Sequence, residues 1–357
     1  MAASLEELLF FLAKNNGSDL HIAAGSKPRI RIHGDLVERP EFPDPLSKED
    51  TQKMIYGILS EDQIARFEKN LELDFSFGVE QLGRFRTNVF QQRNCVGAVL
   101  RIIPTNIKTF DDLGLPKKVC EDLCHQARGL VLVTGATGSG KSTTLAAMID
   151  YLNQREPCHI ITIEDPIEFL HRNKQCLVNQ REVGSDTHGF KEALRSILRQ
   201  DPDIVLVGEM RDQETIEAAL TIAETGHLTF GTLHTSDAVQ TINRVVDVFP
   251  AHQQQQIRTQ LSFTLQGVFC QQLIQKSTGK GRTLVAEIML ANPAVRALIR
   301  DNKAHQIYSI IQTCGKLGMK TMNQSLFEAS KAGHVTYDDA LQYTSDPEDL
   351  KRTFQRV

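Results

Sequence analysis

The stretch Gly135-Ala-Thr-Gly-Ser-Gly-Lys-Ser142 decides the fold of this chain. It matches G-x-x-x-x-G-K-[ST], a pattern in which a glycine-rich turn joins a strand to a helix. The apolar run Leu130-Val-Leu-Val-Thr134 in front of it predicts a buried strand. Behind it, apolar residues recur at helical spacing: Leu145, Met148, Ile149 and Leu152. The stretch is therefore predicted to be a loop between a strand and a helix.

The residue types in this loop suit a phosphate ligand. Its glycines allow a tight turn, in which backbone N–H groups converge on phosphate oxygens at the positive end of a helix. Lys141 is predicted to reach the β- and γ-phosphates, and Ser142 to bind Mg²⁺. A chance glycine-rich turn is the alternative. We therefore expect ATP and Mg²⁺ as cofactors, with the nucleotide held by Gly135, Ala136, Thr137, Gly138, Ser139, Gly140, Lys141, Ser142 and Thr143.

Composition narrows the class of protein. The 357 residues are 41% hydrophobic and 24% charged, which predicts a soluble globular protein of two domains. A net charge of -4 gives no support to bulk binding of nucleic acid. No apolar run approaches the ~20 residues of a membrane span, and the start of the chain has no signal-peptide pattern. The seven cysteines form no C-x-x-C pair and predict free thiols, so we expect a cytoplasmic protein.

Residues 1–103 are predicted to form a small α+β domain with a largely antiparallel sheet. Ser4-Leu-Glu-Glu7 is a capping box that begins a helix. Alternating apolar residues predict strands at 19–22, 29–33, 71–79, 84–91 and 96–103, and residues 47–70 have the pattern of one helix. Residues 104–116, rich in turn residues, are predicted to be a linker.

The last strands of this domain carry three arginines. Arg84 and Arg86 share a sheet face by the period of two, opposite Phe85, and Arg101 stands opposite the apolar Leu100. They predict either a solvated basic face or a guanidinium cluster beside a neighbouring subunit's triphosphate. Such arginines stabilise the charge of a phosphoryl-transfer transition state.

Residues 117–357 are predicted to form an α/β domain. Buried-strand runs at 130–134, 159–163, 204–207, 228–233 and 283–288 alternate with helical patterns at 142–155, 187–199 and 213–225. Such alternation predicts a mostly parallel sheet that is covered on both faces. Ligands of these sheets bind at the carboxyl ends of the strands, so the residues next to each run are candidates.

Two acids and two histidines flank these strands. Glu164 follows one run and is placed to deprotonate the attacking water. Glu209 follows the next run and is predicted to hold Mg²⁺. His227 and His234, seven residues apart around the following run, are either structural hydrogen-bonding groups or sensors of the γ-phosphate. Together the four predict a hydrolytic site.

At this point the chain resembles a known family. The phosphate loop, Ile163-Glu-Asp-Pro-Ile-Glu168, Leu206-Val-Gly-Glu-Met-Arg-Asp212 and Gly226-His-Leu-Thr-Phe-Gly-Thr-Leu-His-Thr235 resemble the Walker A, Asp box, Walker B and His box of the type II/type IV secretion and pilus ATPases. Ser18-Asp-Leu-His-Ile22 and Ala294-Val-Arg-Ala-Leu-Ile-Arg300 are similar to segments of the PilT-type pilus retraction subgroup. Extension and secretion relatives usually carry a zinc-binding insert with four clustered cysteines in the second domain, and this sequence has no such cluster. The likeness covers about residues 18–340.

The resemblance implies an architecture and a task. It implies a PAS-like first domain, a RecA-like second domain and a homo-hexamer that drives pilus retraction. It implies Glu164 as the catalytic base, Glu209 and Ser142 on Mg²⁺, and arginines among Arg84, Arg86 and Arg101 at the nucleotide. The chain is then expected at the cytoplasmic face of the inner membrane, bound to a platform protein of the pilus machine. Helix residues Arg296 and Arg300 are the candidate docking face, with a solvated helix face as the alternative.

Two other functions stay open. A nucleic-acid translocase uses the same core, but the acidic balance and the lack of Trp disfavour strand stacking. A scaffold that binds nucleotide without hydrolysing it is disfavoured because Lys141, Glu164 and Glu209 are all present.

Overall fold

The chain folds into two compact units, Met1–Thr105 and Asn106–Val357. The computed structural model describes residues 4–32, 34–80 and 82–355. His33, which the sequence predicts as the end of a strand, lies outside the described residues. Residues 106–116, predicted as most of a linker, belong to the second unit because Phe110 and Leu115 are buried in its core.

The first unit is built on an antiparallel sheet, as the α+β prediction requires. Every pair of neighbouring strands in it runs antiparallel. The strands are β1 (Asp19–Ile22), β2 (Arg29–Ile32), β3 (Asp35–Glu38), β4 (Glu72–Val79), β5 (Gly83–Gln92) and β6 (Cys95–Ile102), in the order β3-β2-β1-β6-β5-β4. The helices are α1 (Leu5–Lys14), α2 (Lys48–Tyr56) and α3 (Glu61–Asn70).

The single helix predicted over residues 47–70 is wrong. The chain leaves the helix at Gly57 and starts a new one after Ser60. Ser60 begins the second helix with a capping box, because its hydroxyl accepts from the Gln63 N–H and the Gln63 side chain accepts from the Ser60 N–H. The capping-box pattern at Ser60 is visible in the sequence. It was not used because apolar residues recur at helical spacing on both sides of it.

The second unit contains a seven-stranded, mostly parallel sheet, which confirms the predicted α/β class. Only β12 and β13 pair antiparallel among its neighbouring described strands. The strands are β7 (Gly129–Thr134), β8 (His159–Glu164), β9 (Leu177–Glu182), β10 (Ile204–Val207), β11 (Leu228–Leu233), β12 (Leu265–Gln275) and β13 (Arg282–Leu290), in the order β13-β12-β7-β11-β10-β8-β9.

Helices cover both faces of this sheet. Alternate residues of β7 enter opposite hydrophobic clusters, Leu130 and Leu132 on one face and Val131 and Val133 on the other. The helices are α4 (Phe110–Leu113), α5 (Lys117–Cys124), α6 (Lys141–Asn153), α7 (Phe190–Ile197), α8 (Gln213–Glu224), α9 (Ala238–Asp247), α10 (Ala251–Thr264), α11 (Pro293–Arg300), α12 (Ile307–Thr313), α13 (Met322–Lys331), α14 (Tyr337–Tyr343) and α15 (Pro347–Gln355). None of the described helices has the length and apolar character that a bilayer crossing demands.

Two strands of this sheet are absent from the sequence prediction. β9 is an edge strand whose side chains are mostly exposed or half-buried, so it has little apolar signal. β12 follows directly on α10 without a turn, and glutamines interrupt its apolar run. Both matter to the site, because β9 lies beside β8 and β12 lies beside β7.

A buried carboxylate fixes the start of α9. Glu287 of β13 is 4% exposed and accepts a hydrogen bond of 2.9 Å from the N–H of Ala238, the first residue of that helix. Burial raises the pKa of Glu287 to about 7. The contact ties the loop after β11, which carries His234, to the sheet.

Candidate functional site

The glycine-rich loop leaves β7 at its carboxyl end and enters α6 at Lys141. Gly140 precedes the helix with a φ of 93° and Gly135 has a φ of 140°, values that side chains rarely tolerate. A Cβ on Gly135 would clash with the carbonyl oxygen of Gln271 on β12. The loop therefore needs glycine at this position, since the chain passes too close to β12 for any side chain.

Lys141 lies over the loop that it follows. Its ammonium donates to the carbonyl oxygens of Gly135 at 2.9 Å and Ala136 at 3.1 Å. Burial lowers the pKa of Lys141, and the carboxylates of Glu209 and Glu168 partly offset that effect. A phosphate over the loop would offer this cation a stronger, charged acceptor than the carbonyls.

Glu164 ends β8, and its carboxylate accepts three hydrogen bonds. Oε1 accepts from the Thr162 hydroxyl at 2.6 Å and from the Gln180 amide at 3.2 Å. Oε2 accepts from the Glu168 N–H at 3.4 Å. Burial raises the pKa of Glu164 even though these donors act to lower it. A carboxylate with a raised pKa is a stronger base near neutral pH, which suits proton abstraction from water.

Glu209 follows β10 at the same edge of the sheet. One carboxylate oxygen is shared by the Arg211 guanidinium and by Nε2 of His234, which lies 3.1 Å away. Burial alone would raise the pKa of Glu209, but the Arg211 hydrogen bond and charge, together with His234 and Lys141, outweigh burial and lower it. Glu209 therefore carries a negative charge at the edge where the phosphate loop begins.

Arg211 is a site residue that the sequence reasoning missed. Its side chain is 73% exposed, and its backbone carbonyl accepts from the Arg244 guanidinium of α9 at 3.2 Å. The signal was its position, two residues after a strand-end acid, where an extended chain turns both side chains the same way.

The two histidines flank β11, and of these two expected γ-phosphate sensors His234 lies at the carboxyl end of the strand beside Glu209 and His227 does not. His234 follows β11 and reaches Glu209, whereas His227 precedes β11. The strand between them spans roughly 20 Å at ~3.3 Å per residue. Nδ1 of His227 lies 3.1 Å from the carbonyl oxygen of Ile222 at the end of α8. Within one chain, His227 is therefore placed as a structural group, because residues before a parallel strand cannot meet those after it.

The three arginines of the first unit lie on one face of its sheet. Arg86 of β5 and Arg101 of β6 are direct cross-strand neighbours, and Arg84 lies two residues from Arg86. Arg101 donates through Nε to the buried carboxylate of Asp19 at 2.7 Å. Burial alone would raise the pKa of Asp19, but its bonds to Ser18 and Arg101 lower it. Asp19 thus orients one guanidinium, while the Arg86 side chain is exposed.

Arg296 is not a free docking residue, which corrects the expectation for α11. Its guanidinium donates to the carbonyl oxygens of Ser262 at 2.7 Å and Phe263 at 2.9 Å, and to the side chain of Gln266 at 3.0 Å. These acceptors lie at the end of α10 and the start of β12. Arg300, on the same helix, is exposed. The exposed part of this helix therefore offers Arg300 and not Arg296.

Replacing Arg296 with Ala should lower the free energy of unfolding by about 2 kcal/mol, because three acceptors lose a charged donor. Arg300→Ala is the matched control, and it should change stability by less than about 0.5 kcal/mol. Urea unfolding followed by circular dichroism measures both. Equal stability of the two variants would mean that Arg296 does not brace α10.

Comparison with known proteins places the chain in one family. Residues 5–342 match the family described as Type II/IV secretion system protein. The chain is 54% identical over 346 residues to PilT, the type IV pilus retraction ATPase of Pseudomonas aeruginosa, covering 97% of this chain and 99% of that protein. It is 47% identical over 323 residues to a twitching motility protein of Neisseria gonorrhoeae, covering 90% of this chain and 86% of that protein.

A solved structure has the same architecture. The ADP-bound pilus retraction motor PilT aligns with a TM-score of 0.92 and 50% identity, covering 98% of this chain and 99% of that one. The near-complete coverage of both chains confirms the resemblance to the pilus retraction ATPases.

Proposed function

We propose, on the premise that the chain belongs to the Type II/IV secretion system protein family, that it is an ATP-hydrolysing motor that powers retraction of a type IV pilus. One observation carries this proposal. Over 97% of its length the chain is 54% identical to a pilus retraction ATPase, so the likeness includes both units and not the nucleotide loop alone. A shared core without the first unit would support only nucleotide hydrolysis.

The second unit supplies the hydrolytic residues. Residues 135–143 hold the phosphates of ATP, and Lys141 exchanges its loop carbonyls for phosphate oxygens. Glu164 removes a proton from the attacking water. The hydroxyl of Ser142 and the carboxylate of Glu209 are oxygen donors of the kind that Mg²⁺ prefers. Bound there with the phosphates, Mg²⁺ would neutralise charge that develops during phosphoryl transfer.

His234 is the group that can sense the γ-phosphate. It pairs with Glu209 at 3.1 Å, and Glu209 also engages Arg211. A phosphate that attracts Lys141 and Arg211 would change both pairings. The state of the nucleotide is thereby reported to α9, which starts four residues after His234 and contacts Arg211 through Arg244.

A homo-hexamer is the proposed working form, with arginines of one subunit's first unit reaching the nucleotide of the next subunit. The grouping of Arg84, Arg86 and Arg101 on one sheet face supports this arrangement. Hydrolysis would then change the position of one unit relative to the other, and this movement is the mechanical output.

The proposed partner is the inner-membrane platform protein of the pilus machine. The exposed Arg300 on α11 is the remaining candidate for docking, because Arg296 is engaged within its own unit. We place the motor at the cytoplasmic face of the inner membrane, held there by this partner.

The runner-up, a nucleic-acid translocase, is separated from the motor by one experiment. The purified protein should hydrolyse ATP at the same rate with and without single-stranded DNA. A host strain that lacks its own retraction ATPase should regain twitching when this chain is expressed. Stimulation by DNA together with no recovery of twitching would replace the pilus motor with the translocase.

A further inference from the structure

Gln180 makes hydrogen bonds that the proposed reaction does not yet explain. It lies on the edge strand β9, directly beside Thr162 of β8. Its amide nitrogen donates both to Glu164 Oε1 at 3.2 Å and to the Phe169 carbonyl at 2.8 Å. Its amide oxygen accepts from the His171 N–H at 2.8 Å. One side chain therefore joins the end of β8 to the loop that follows it.

These contacts give the two carboxylate oxygens of Glu164 different numbers of hydrogen-bond donors. Each carboxylate oxygen can accept about two hydrogen bonds. Oε1 has both, from Thr162 and Gln180, whereas Oε2 has only the long bond from the Glu168 N–H. Oε2 therefore keeps room for a further donor, such as the proton of a water molecule.

We propose that Gln180 is a positioning residue for ATP hydrolysis, which holds Oε1 of Glu164 so that Oε2 faces the attacking water. This inference rests on the proposed function. It adds a residue from a strand that carries none of the family motifs quoted above. A general base must lie within hydrogen-bond reach of the proton that it takes, and small displacements are costly.

The groups around Glu164 determine how its pKa should change when a donor is removed. On β8 and β9 the groups that bond it are the neutral Thr162 and Gln180, and the charged group that faces it is Glu168 in its own loop. Both neutral donors act to lower the pKa of Glu164. Removal of either donor should raise that pKa, so that a larger fraction of Glu164 is protonated at neutral pH.

The test compares Gln180→Leu with wild type. We expect kcat to fall roughly 10- to 100-fold while KM for ATP changes by less than about threefold. The acidic limb of the plot of kcat against pH should move to higher pH, because the base stays protonated longer. Asn179→Ala is the control on the same strand. Its exposed side chain bonds His159 and not Glu164, and its profile should match wild type.

Thr162→Val is a second variant that tests the same proposal in case Gln180→Leu fails to fold. It removes the other donor to Oε1 with little change of shape and leaves the contacts of Gln180 to Phe169 and His171 in place. Its acidic limb should move in the same direction. If both variants keep the wild-type pH profile and kcat while Glu164→Gln is inactive, Gln180 is not a positioning residue. If Glu164→Gln is itself active, the failure lies in the proposed function.

Discussion

Glu164→Gln should lower ATP turnover at least ~10²-fold and leave nucleotide binding and oligomer assembly unchanged. The amide has the shape of the carboxylate but cannot take a proton from water. Its single oxygen can still accept from Thr162 and Gln180 in the place of Oε1, and only the long bond from the Glu168 N–H is lost, so the loop after β8 should keep its conformation. Steady-state phosphate release gives the turnover. Titration with a fluorescent ATP analogue and size-exclusion chromatography give binding and assembly.

A matched control distinguishes the loss of a carboxylate charge from the loss of the catalytic base. Glu214→Gln makes the same substitution in the same unit, on the first turn of α8, where the carboxylate pairs with Lys191. Its turnover should stay within about twofold of wild type, as expected for an exposed ion pair. Near-normal turnover of Glu164→Gln would remove this residue from the mechanism, and the base would then have to be sought elsewhere.

Motifs in the sequence were sufficient to predict the positions of the phosphate loop and of the two acids at strand ends, because these depend on local order along the chain. The strand, glycine turn and helix around Lys141 are consecutive in the chain, so spacing alone predicts the loop. Glu164 and Glu209 end parallel neighbours in the sheet, and both were predicted from the rule that ligands lie at strand ends.

Whether a residue comes before or after a strand decides whether it can reach the site. His227 and His234 stand in one continuous segment, but they flank β11 from opposite ends. In a parallel sheet only groups after a strand reach the carboxyl edge. The order of residues was therefore enough to separate the two histidines, and the pairing by proximity in sequence was misleading.

Contacts between distant segments could not be predicted. Gln180 is 16 residues from Glu164, on an edge strand with little apolar pattern. Arg296 bonds backbone carbonyls 33 and 34 residues away. Backbone carbonyls are the same for every residue type, so no sequence pattern marks them as partners of an arginine. Such bonds become visible only when the packing of α10, α11 and β12 is known.

The second large effect is expected from the arginine face of the first unit. Arg86→Ala and Arg101→Ala should each reduce ATP turnover, by up to ~10³-fold for the residue that contacts the transition state. A guanidinium near the transferred phosphoryl group stabilises charge that forms only during the reaction, so ATP binding should change much less. Arg29→Ala is the control, since Arg29 belongs to the same sheet but pairs with Glu38 at 2.7 Å.

Mixing of subunits decides whether these arginines act on a neighbour. Co-expression of an arginine variant with Glu164→Gln combines two inactive chains in the proposed hexamer. If the arginine acts across the subunit boundary, an arginine-variant subunit keeps its own Glu164 and receives an intact arginine from the next chain. Roughly a quarter of the interfaces in a 1:1 mixture are then complete. Turnover should recover to about that fraction, whereas a site completed within one chain gives no recovery. If turnover recovers with neither arginine variant, these arginines do not act on the nucleotide of a neighbouring subunit. The proposal that hydrolysis requires two subunits would then be wrong.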